Sequence, residues 1–323
     1  MGVRMLSWIY IVTPVVPMRG KTRAGHGQTR GAAVSLFDLL GYRNRWRLLE
    51  RFGRGYVSET SPIVIGGCGS SGTTLLRRML NRHPAISCGA ESTVFLERVT
   101  GPAELGPRMD LPPSEIEQWQ RSSRSQAEFI DRFQAACLAQ SGKSVWADKT
   151  PENIRRLDFI WRHFPRARFV HLIRDGRDVA CSLRRQAWMK RGSGDVIARC
   201  GTYWVKRVSV RRRFLADPRY SELHYEDLVR DAAGTLQALL RTLGLEWSER
   251  VLLPDEGAPG VAAAGAPFTS SVGRWRNELS DSEIATLKAI EGPLLIELGY
   301  ERDGDWSADH GAARGAAIPA SSR

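Results

Sequence analysis

Pro62-Ile63-Val64-Ile65-Gly66-Gly67-Cys68-Gly69-Ser70-Ser71-Gly72-Thr73-Thr74-Leu75-Leu76-Arg77-Arg78-Met79-Leu80 is the stretch that sets the fold. Ile63, Val64 and Ile65 form a short apolar, β-branched run, which reads as a strand buried on both faces. Gly66, Gly67, Gly69 and Gly72 permit the tight backbone turns of a loop that can close around an anion. From Thr73 onward Leu75, Leu76, Met79 and Leu80 recur at the spacing of one buried helix face. A strand, a glycine-rich loop and a helix start together direct several backbone N–H groups at one point. Gly67 to Thr74 reads G-x-x-x-x-G-T-T, the nucleoside-triphosphate loop with Thr73 in place of its lysine. Without that lysine triphosphate chemistry is disfavoured, but the anion cradle remains. The alternative is an ordinary Gly-rich turn with no ligand.

A second stretch favours the cradle. Arg168 to Ser182 is again an apolar strand, a polar turn and a helix start. Arg174 stands where the strand ends, and Ser182 about two turns into the following helix. The carboxyl ends of strands in an open α/β sheet are where such folds bind ligands. A guanidinium fork with a nearby hydroxyl suits a phosphate monoester.

These residues resemble the sulfotransferase family, and most closely its tyrosylprotein sulfotransferase-like branch. The 5′-phosphosulfate loop of that family looks like Ser71-Gly72-Thr73-Thr74-Leu75, and its 3′-phosphate motif is similar to Arg174-Asp175-Gly176-Arg177 with Ser182. The resemblance continues through His83-Pro84, Cys88-Gly89-Ala90-Glu91, Asp148-Lys149-Thr150-Pro151, His224-Tyr225-Glu226-Asp227-Leu228 and Gly273-Arg274-Trp275. It implies a P-loop-like α/β three-layer sandwich with a mostly parallel central sheet, and chain length fits a single domain, expected at 35–302. It also implies 3′-phosphoadenosine 5′-phosphosulfate (PAPS) as sulfuryl donor. On this resemblance Ser70, Ser71, Gly72, Thr73 and Thr74 hold the phosphosulfate, Arg174 and Ser182 hold the 3′-phosphate, and Tyr225 contacts the nucleotide. Arg274 reaches back to the phosphates and Trp275 packs over the base, in a segment that can act as a lid. Glu91 is the catalytic base, which draws a proton from the attacking hydroxyl, and Lys149 stabilises charge on the leaving phosphate. The chain departs from the family at Ser70, where the family carries Arg or Lys. That leaves one phosphosulfate contact to come from elsewhere, or weaker binding.

Length and composition agree with this outline. The 323 residues, 42% of them hydrophobic, suffice for one sizeable α/β core. A formal charge of +12 favours anionic ligands. The basic residues are spread along the chain, and the one tight run, Arg211-Arg212-Arg213, reads as a solvated helix face with no nucleic-acid motif beside it. Five cysteines show neither paired nor metal-ligand spacing, so reduced thiols in a cytoplasmic protein and no metal are expected. Cys68, in the loop itself, is expected to be accessible.

Elsewhere the expectations are local. Residues 1–34 read as a disordered extension; the apolar run Met5 to Met18, broken by Pro14 and Pro17, is too short for a transmembrane span but leaves membrane association as the alternative. Ser35 to Phe52 is an amphipathic helix candidate. Gly101 to Pro113 reads as a loop, and Ser114 to Gln140 as one helix capped at Ser114 with Glu117. The pattern predicts short strands at Ser144–Ala147 and Ser221–Tyr225 and a long helix over Asp195–Ala216. It also predicts a flexible Glu256–Pro267 loop, a closing helix over Asp281–Leu298 and a disordered tail at 303–323. Glu91 as a cap of a helix starting near Ser92 is the structural alternative to catalysis. His83 reads as a helix end.

The expected reaction is in-line sulfuryl transfer from PAPS to a hydroxyl on a peptide tyrosine, glycan, lipid or small metabolite. A small-molecule P-loop kinase and a non-catalytic nucleotide-binding protein are the alternatives. The missing loop lysine weighs against the first, and Glu91 with Lys149 against the second.

Overall fold

The structure, a computed structural model, describes residue 46, residues 55–253 and residues 271–303. The expected 1–34 extension, the Ser35–Phe52 helix apart from Trp46, the Glu256–Pro267 loop and the tail from residue 304 lie outside the described residues. The chain divides into two units, 1–54 and 55–323; the sheet belongs to the second.

Strand β1 (Ile63–Gly67) is buried along its whole length, as a strand covered on both faces must be. Helix α1 (Thr73–Asn81) follows the loop and buries Thr73, Leu76, Met79 and Leu80. Then come β2 (Ile86–Ser87), α2 (Pro102–Met109), α3 (Pro113–Ser122), α4 (Gln126–Ser141) and β3 (Val145–Lys149). A 3-10 turn over Pro151–Arg156 and α5 (Leu157–His163) lead to β4 (Arg168–Ile173). Helices α6 (Gly176–Leu183), α7 (Ala187–Lys190) and α8 (Val196–Val208) lead to β5 (Tyr220–His224). The last described helices are α9 (Tyr225–Arg230), α10 (Ala232–Leu243), α11 (Trp275–Glu278) and α12 (Asp281–Glu297).

The strands pair in the order β2-β3-β1-β4-β5, every pairing parallel. The chain leaves β1 for β2 and β3 on one side and returns to β4 on the other. Such a reversal opens a crevice beyond the carboxyl ends of the strands. The register fixes what surrounds it: Ile65 lies opposite Lys149, Gly67 opposite Leu172 and Ile173 opposite His224. One sheet face packs Ile63, Ile65, Val170 and Leu172 against Leu76, Leu80, Leu236 and Leu240. The opposite layer gathers Val179, Trp204, Trp275, Leu287 and Leu295 around Cys68 and Ile173. This is the expected three-layer sandwich. At Gly66 the Pro151–Arg156 turn crosses β1 so closely that a Cβ would stand 2.7 Å from the Ile154 nitrogen, so only glycine fits.

Several local expectations change. Gly101–Pro113 is not a loop, since α2 starts at Pro102 with a proline in its first turn, where the fixed φ of proline is already helical. Ser114–Gln140 is not one helix. Its chain turns extended at Ser123, and the working cap is Ser125, whose Oγ accepts the Glu128 N–H at 3.1 Å. The Asp195–Ala216 helix ends its α portion at Val208 and tightens into a 3-10 turn over Ser209–Arg213. There Arg211 pairs with Glu222 and Glu297, Arg212 with Glu297, and Arg213 with Asp158, so the basic run is internally compensated. Among the described residues no helix is long and apolar enough to cross a membrane.

Candidate active site

The β1–α1 loop forms the floor of the crevice. Ser70 sits at φ 70 and Gly72 at φ 94, both left-handed. Left-handed backbone is open to glycine and costs other residues about 1–2 kcal/mol. At Gly72 a Cβ would also run into the Tyr225 ring. No side chain caps α1; Leu75 and Leu76 already donate to the Gly72 carbonyl, and the Thr73 and Thr74 N–H groups ahead of them face the loop without intrahelical partners. Thr73 and Ser71 are buried beside them, and Ser71 Oγ has no hydrogen-bond partner among the described residues. A buried hydroxyl and unpaired amides at a helix start are the donor set an anionic oxygen would satisfy.

Glu91 and Lys149 meet on one flank. Lys149 Nζ donates to Glu91 Oε1 at 2.5 Å and to Thr74 Oγ1 at 3.3 Å. The Lys149 side chain is 3% exposed and that of Glu91 44%, so the cation is held in the protein while the carboxylate opens to solvent. Asp148, the residue before Lys149 on β3, accepts from Ser92 Oγ and, at 2.7 Å, from Asn153 Nδ2. Burial pushes the Asp148 carboxyl up, against the hydrogen bonds from Ser92 and Asn153. No helix starts at Ser92, so the alternative reading of Glu91 as a helix cap fails. Two arginines hold the Glu91 segment by its carbonyls: Arg77 Nη1 donates to Cys88 at 3.3 Å, and Arg108 Nη1 to Glu91 at 3.1 Å.

Arg174 lies at the other flank, 5% exposed. Its Nη1 donates to the Ser70 carbonyl at 3.2 Å, its Nη2 to the Ser271 carbonyl, and its guanidinium lies 4.4 Å from the Tyr225 ring centroid. Arg174 Nε is buried without a hydrogen-bond partner among the described residues. Arg274 Nη2 donates to Ser182 Oγ and to the Asp178 carbonyl. Thus Arg174 and Tyr225 join the loop directly, and Arg274, just before α11, forms a second pair with Ser182 of α6.

Two expectations are corrected. Trp275 is 2% exposed, packed in the core with the Arg177 guanidinium 4.0 Å from its ring centroid. It anchors its segment and offers no free face to a nucleotide base. Cys68 points into the α6–α8–α12 layer and is fully buried, which pushes its thiol well up from the ordinary value. It is not accessible. His83, as expected, ends the helical turn after α1: its N–H donates to the Leu80 carbonyl at 3.0 Å, and its Nε2 lies 2.8 Å from the Glu246 carbonyl.

The sequence reading missed an aromatic–ionic group beside Gly69. Tyr203 OH donates to Glu152 Oε1 at 2.6 Å, Arg207 pairs with Glu152 at 3.0 Å, and the Arg207 guanidinium lies 3.7 Å from the Tyr203 ring centroid. Burial works upward on Glu152, but the Tyr203 hydrogen bond and Arg207 hold it below the usual carboxylate range. The signal was faint, because Glu152 lies some fifty residues from its partners. Among the described residues no three His, Cys, Asp or Glu side chains gather to hold a metal ion.

Residues 62–249, which carry the loop, Glu91, Lys149, Arg174, Ser182 and Tyr225, match the profile described as the sulfotransferase family. The chain belongs to the sulfotransferase family. It is an enzyme that transfers a sulfuryl group from PAPS to an acceptor, and the kinase and binding-protein alternatives are not favoured. Among its relatives, chicken (Gallus gallus) protein-tyrosine sulfotransferase 2 is 25% identical over 265 residues, covering 76% of this chain and 71% of that protein. Human protein-tyrosine sulfotransferase 1 is 24% identical over 265 residues, with the same coverage of each chain. The fold is shared with the sulfotransferase domain of the Synechococcus PCC 7002 olefin synthase (TM-score 0.55, 21% identity) and with that of the curacin biosynthetic pathway (TM-score 0.56, 19% identity). Both cover 73% of this chain and 98% of theirs.

Proposed function

We propose that the enzyme sulfates the phenolic oxygen of peptide tyrosine, with Glu91 as general base and Lys149 as the cation that receives the leaving charge. PAPS supplies the activated sulfuryl group. Glu91, open to solvent yet next to the phosphosulfate loop, takes the phenolic proton as oxygen attacks sulfur. The new O–S bond forms as the bond from sulfur to the bridging oxygen breaks. Lys149, Thr74 and the α1 amides hold the charge that then develops on phosphate. Ser70, Ser71, Gly72 and Thr73 complete the 5′ cradle. Arg174, Ser182 and Arg274 hold the 3′-phosphate, and Tyr225 braces both the loop and Arg174.

The observation that carries this reading is the 2.5 Å contact between a buried cation and a half-exposed carboxylate at the mouth of the loop. The tyrosine acceptor is supported by the names of the relatives above. All five cysteines are free and buried, which fits a reducing, cytoplasmic setting. The test is transfer from labelled PAPS to tyrosine-containing peptides, with serine- and phenylalanine-substituted peptides alongside, after calorimetric titration with 3′,5′-adenosine bisphosphate, ADP and ATP. Bisphosphate binding without magnesium, and label on the tyrosine peptide alone, are expected. Preference for ATP with magnesium would overturn the donor assignment; label on glycans or lipids but not on peptides would overturn the acceptor.

A further inference from the structure

The second acid of Arg174-Asp175-Gly176-Arg177-Asp178 has no role in the reading above, and its surroundings are unusual for its place. An aspartate in the first turn of a helix ordinarily serves that helix's own N–H groups. On α6 that work is already done by Asp175, which accepts the Arg177 N–H at 2.9 Å. Asp178, fully buried, turns instead to a segment nearly a hundred residues away. Its Oδ2 accepts the Gly273 N–H at 2.7 Å and its Oδ1 the Trp275 N–H at 3.0 Å. Between those two amides stands Arg274, whose Nη2 donates at 3.2 Å to the backbone carbonyl of the same Asp178 and to Ser182 Oγ. Asp178 and Ser182 are four residues apart and share one face of the helix. Gly273, at φ 70, makes the turn that points both amides at one carboxylate. Trp275, sunk beneath Arg177, pins the far side.

The carboxylate therefore clasps the residues on either side of Arg274, whose guanidinium lies on Ser182 and the Asp178 carbonyl with Glu278 Oε1 3.9 Å from its Nε. We propose that Asp178 is the positioning residue for 3′-phosphate recognition: by fixing the 273–275 turn it holds Arg274 at Ser182, and so sets the enzyme's preference for a nucleotide bearing a 3′-phosphate over one without it. The inference rests on the assignment of Ser182 and Arg274 to the 3′-phosphate. A structural role alone would weaken all nucleotides together. A positioning role weakens only those whose 3′-phosphate Arg274 must meet.

The test is calorimetric titration of the full chain with 3′,5′-adenosine bisphosphate and with 5′-AMP, for the unaltered enzyme, Asp178→Asn, Asp178→Ala, Arg274→Ala and Asp178→Asn/Arg274→Ala. The unaltered enzyme is expected to prefer the bisphosphate. Asp178→Ala should lose about 10- to 100-fold in bisphosphate affinity, the scale of a lost charge-assisted contact, with 5′-AMP affinity within about threefold. Asp178→Asn, which keeps the shape and one acceptor oxygen, should fall between. The double variant should be no weaker than Arg274→Ala alone, because both changes remove one interaction. Should Asp178→Ala not fold, the asparagine variant carries the test. Amide exchange on the unaltered chain adds a second readout, in which Gly273 and Trp275 slow further with bisphosphate but not with 5′-AMP. If the variants keep the preference, lose both nucleotides equally, or add to Arg274→Ala, Asp178 is not the positioning residue. If the unaltered enzyme itself does not discriminate, the 3′-phosphate assignment falls and the inference with it.

Discussion

Replacing Glu91 by glutamine separates chemistry from binding. Glutamine keeps the length and one acceptor oxygen, so Lys149 Nζ retains a partner where it now has Glu91 Oε1 at 2.5 Å. What is lost is the negative charge and the basic site. The lost ion pair is small in energy, because the Glu91 side chain is 44% exposed and pairs in that setting are worth about 1 kcal/mol or less. Affinity for 3′,5′-adenosine bisphosphate should therefore change by less than about fivefold. Loss of a general base typically costs about 10²- to 10⁴-fold in rate, so kcat should fall by that factor with little change in KM for PAPS. A second signature follows from the acceptor. A phenol ionises near pH 10, and without a base transfer must wait for that ionisation. The variant's residual rate should therefore rise about tenfold per pH unit between pH 7 and 9, more steeply than that of the parent. The assay is labelled transfer to a tyrosine peptide across that pH range, with calorimetry of the bisphosphate in parallel. A variant with kcat within threefold of the parent, or one that loses bisphosphate binding in step with rate, would refute the role of Glu91.

Three further outcomes are expected. Gly72→Ala places a Cβ at φ 94 against the Tyr225 ring; it should destabilise the fold by about 2 kcal/mol and weaken bisphosphate binding at least tenfold, read by urea melts and calorimetry. Ser70→Lys restores the basic residue usual in the family at a position that already accepts its left-handed backbone, and should lower KM for PAPS severalfold with little change in melting temperature. Glu291 is fully buried with neither carboxyl oxygen hydrogen-bonded among the described residues, and burial, then the charge of Asp175, raise its pKa well above the usual 4.5. A group whose folded pKa is raised binds a proton that the unfolded chain has released. Stability is therefore fully present below about pH 4.5 and declines, by about 1.4 kcal/mol per pH unit, as pH rises toward the folded value. Glu291→Gln removes that decline, so its stability advantage should grow from pH 4.5 upward in chemical melts; a constant difference across pH would show that Glu291 does not titrate in this way.

The strands, the loop and the helix behind it were legible because each depends on local pattern. Ile63–Ile65 and Phe169–Ile173, the latter apolar apart from His171, are runs of strand length bounded by turn residues, and Gly72 marks a backbone turn that few other residues accept. Where glycine and proline punctuate, the pattern misled. Pro102 opens a helix that its neighbours Gly101 and Gly106 disguise, and Ser123–Ser125 interrupts a run whose helical periodicity continues across the break. The site was legible residue by residue but not as a geometry. Glu91 and Lys149 are 58 positions apart, and only the β2-β3-β1 pairing order brings them to one mouth. Trp275 and Cys68 were misplaced for one reason. Sequence proximity to a ligand loop says nothing about which side of the backbone a side chain takes, and both turn into the α6–α8–α12 layer.

The departure at Ser70 is less of a loss than it looks in the sequence. A basic side chain there would project a cation over the loop. In this chain the loop is instead gripped from its own backbone. Ser70 holds a left-handed φ of 70 and turns its carbonyl to Arg174 Nη1 at 3.2 Å. Arg174 is set by β4, the parallel neighbour of β1, so the distance between guanidinium and loop is fixed by five consecutive paired positions, Ile63 with Arg168 through Gly67 with Leu172. Tyr225, at the end of the next strand, fills the space above Gly72 and stacks on the same guanidinium. One cation thus stands between the proposed 5′ cradle and the proposed 3′ pocket, bonded to the carbonyl of one and to the Ser271 segment of the other. Through its two terminal nitrogens Arg174 ties the Ser70 carbonyl to the Ser271 carbonyl. That arrangement places the charge lost at Ser70 on a side chain which the sheet itself keeps in position.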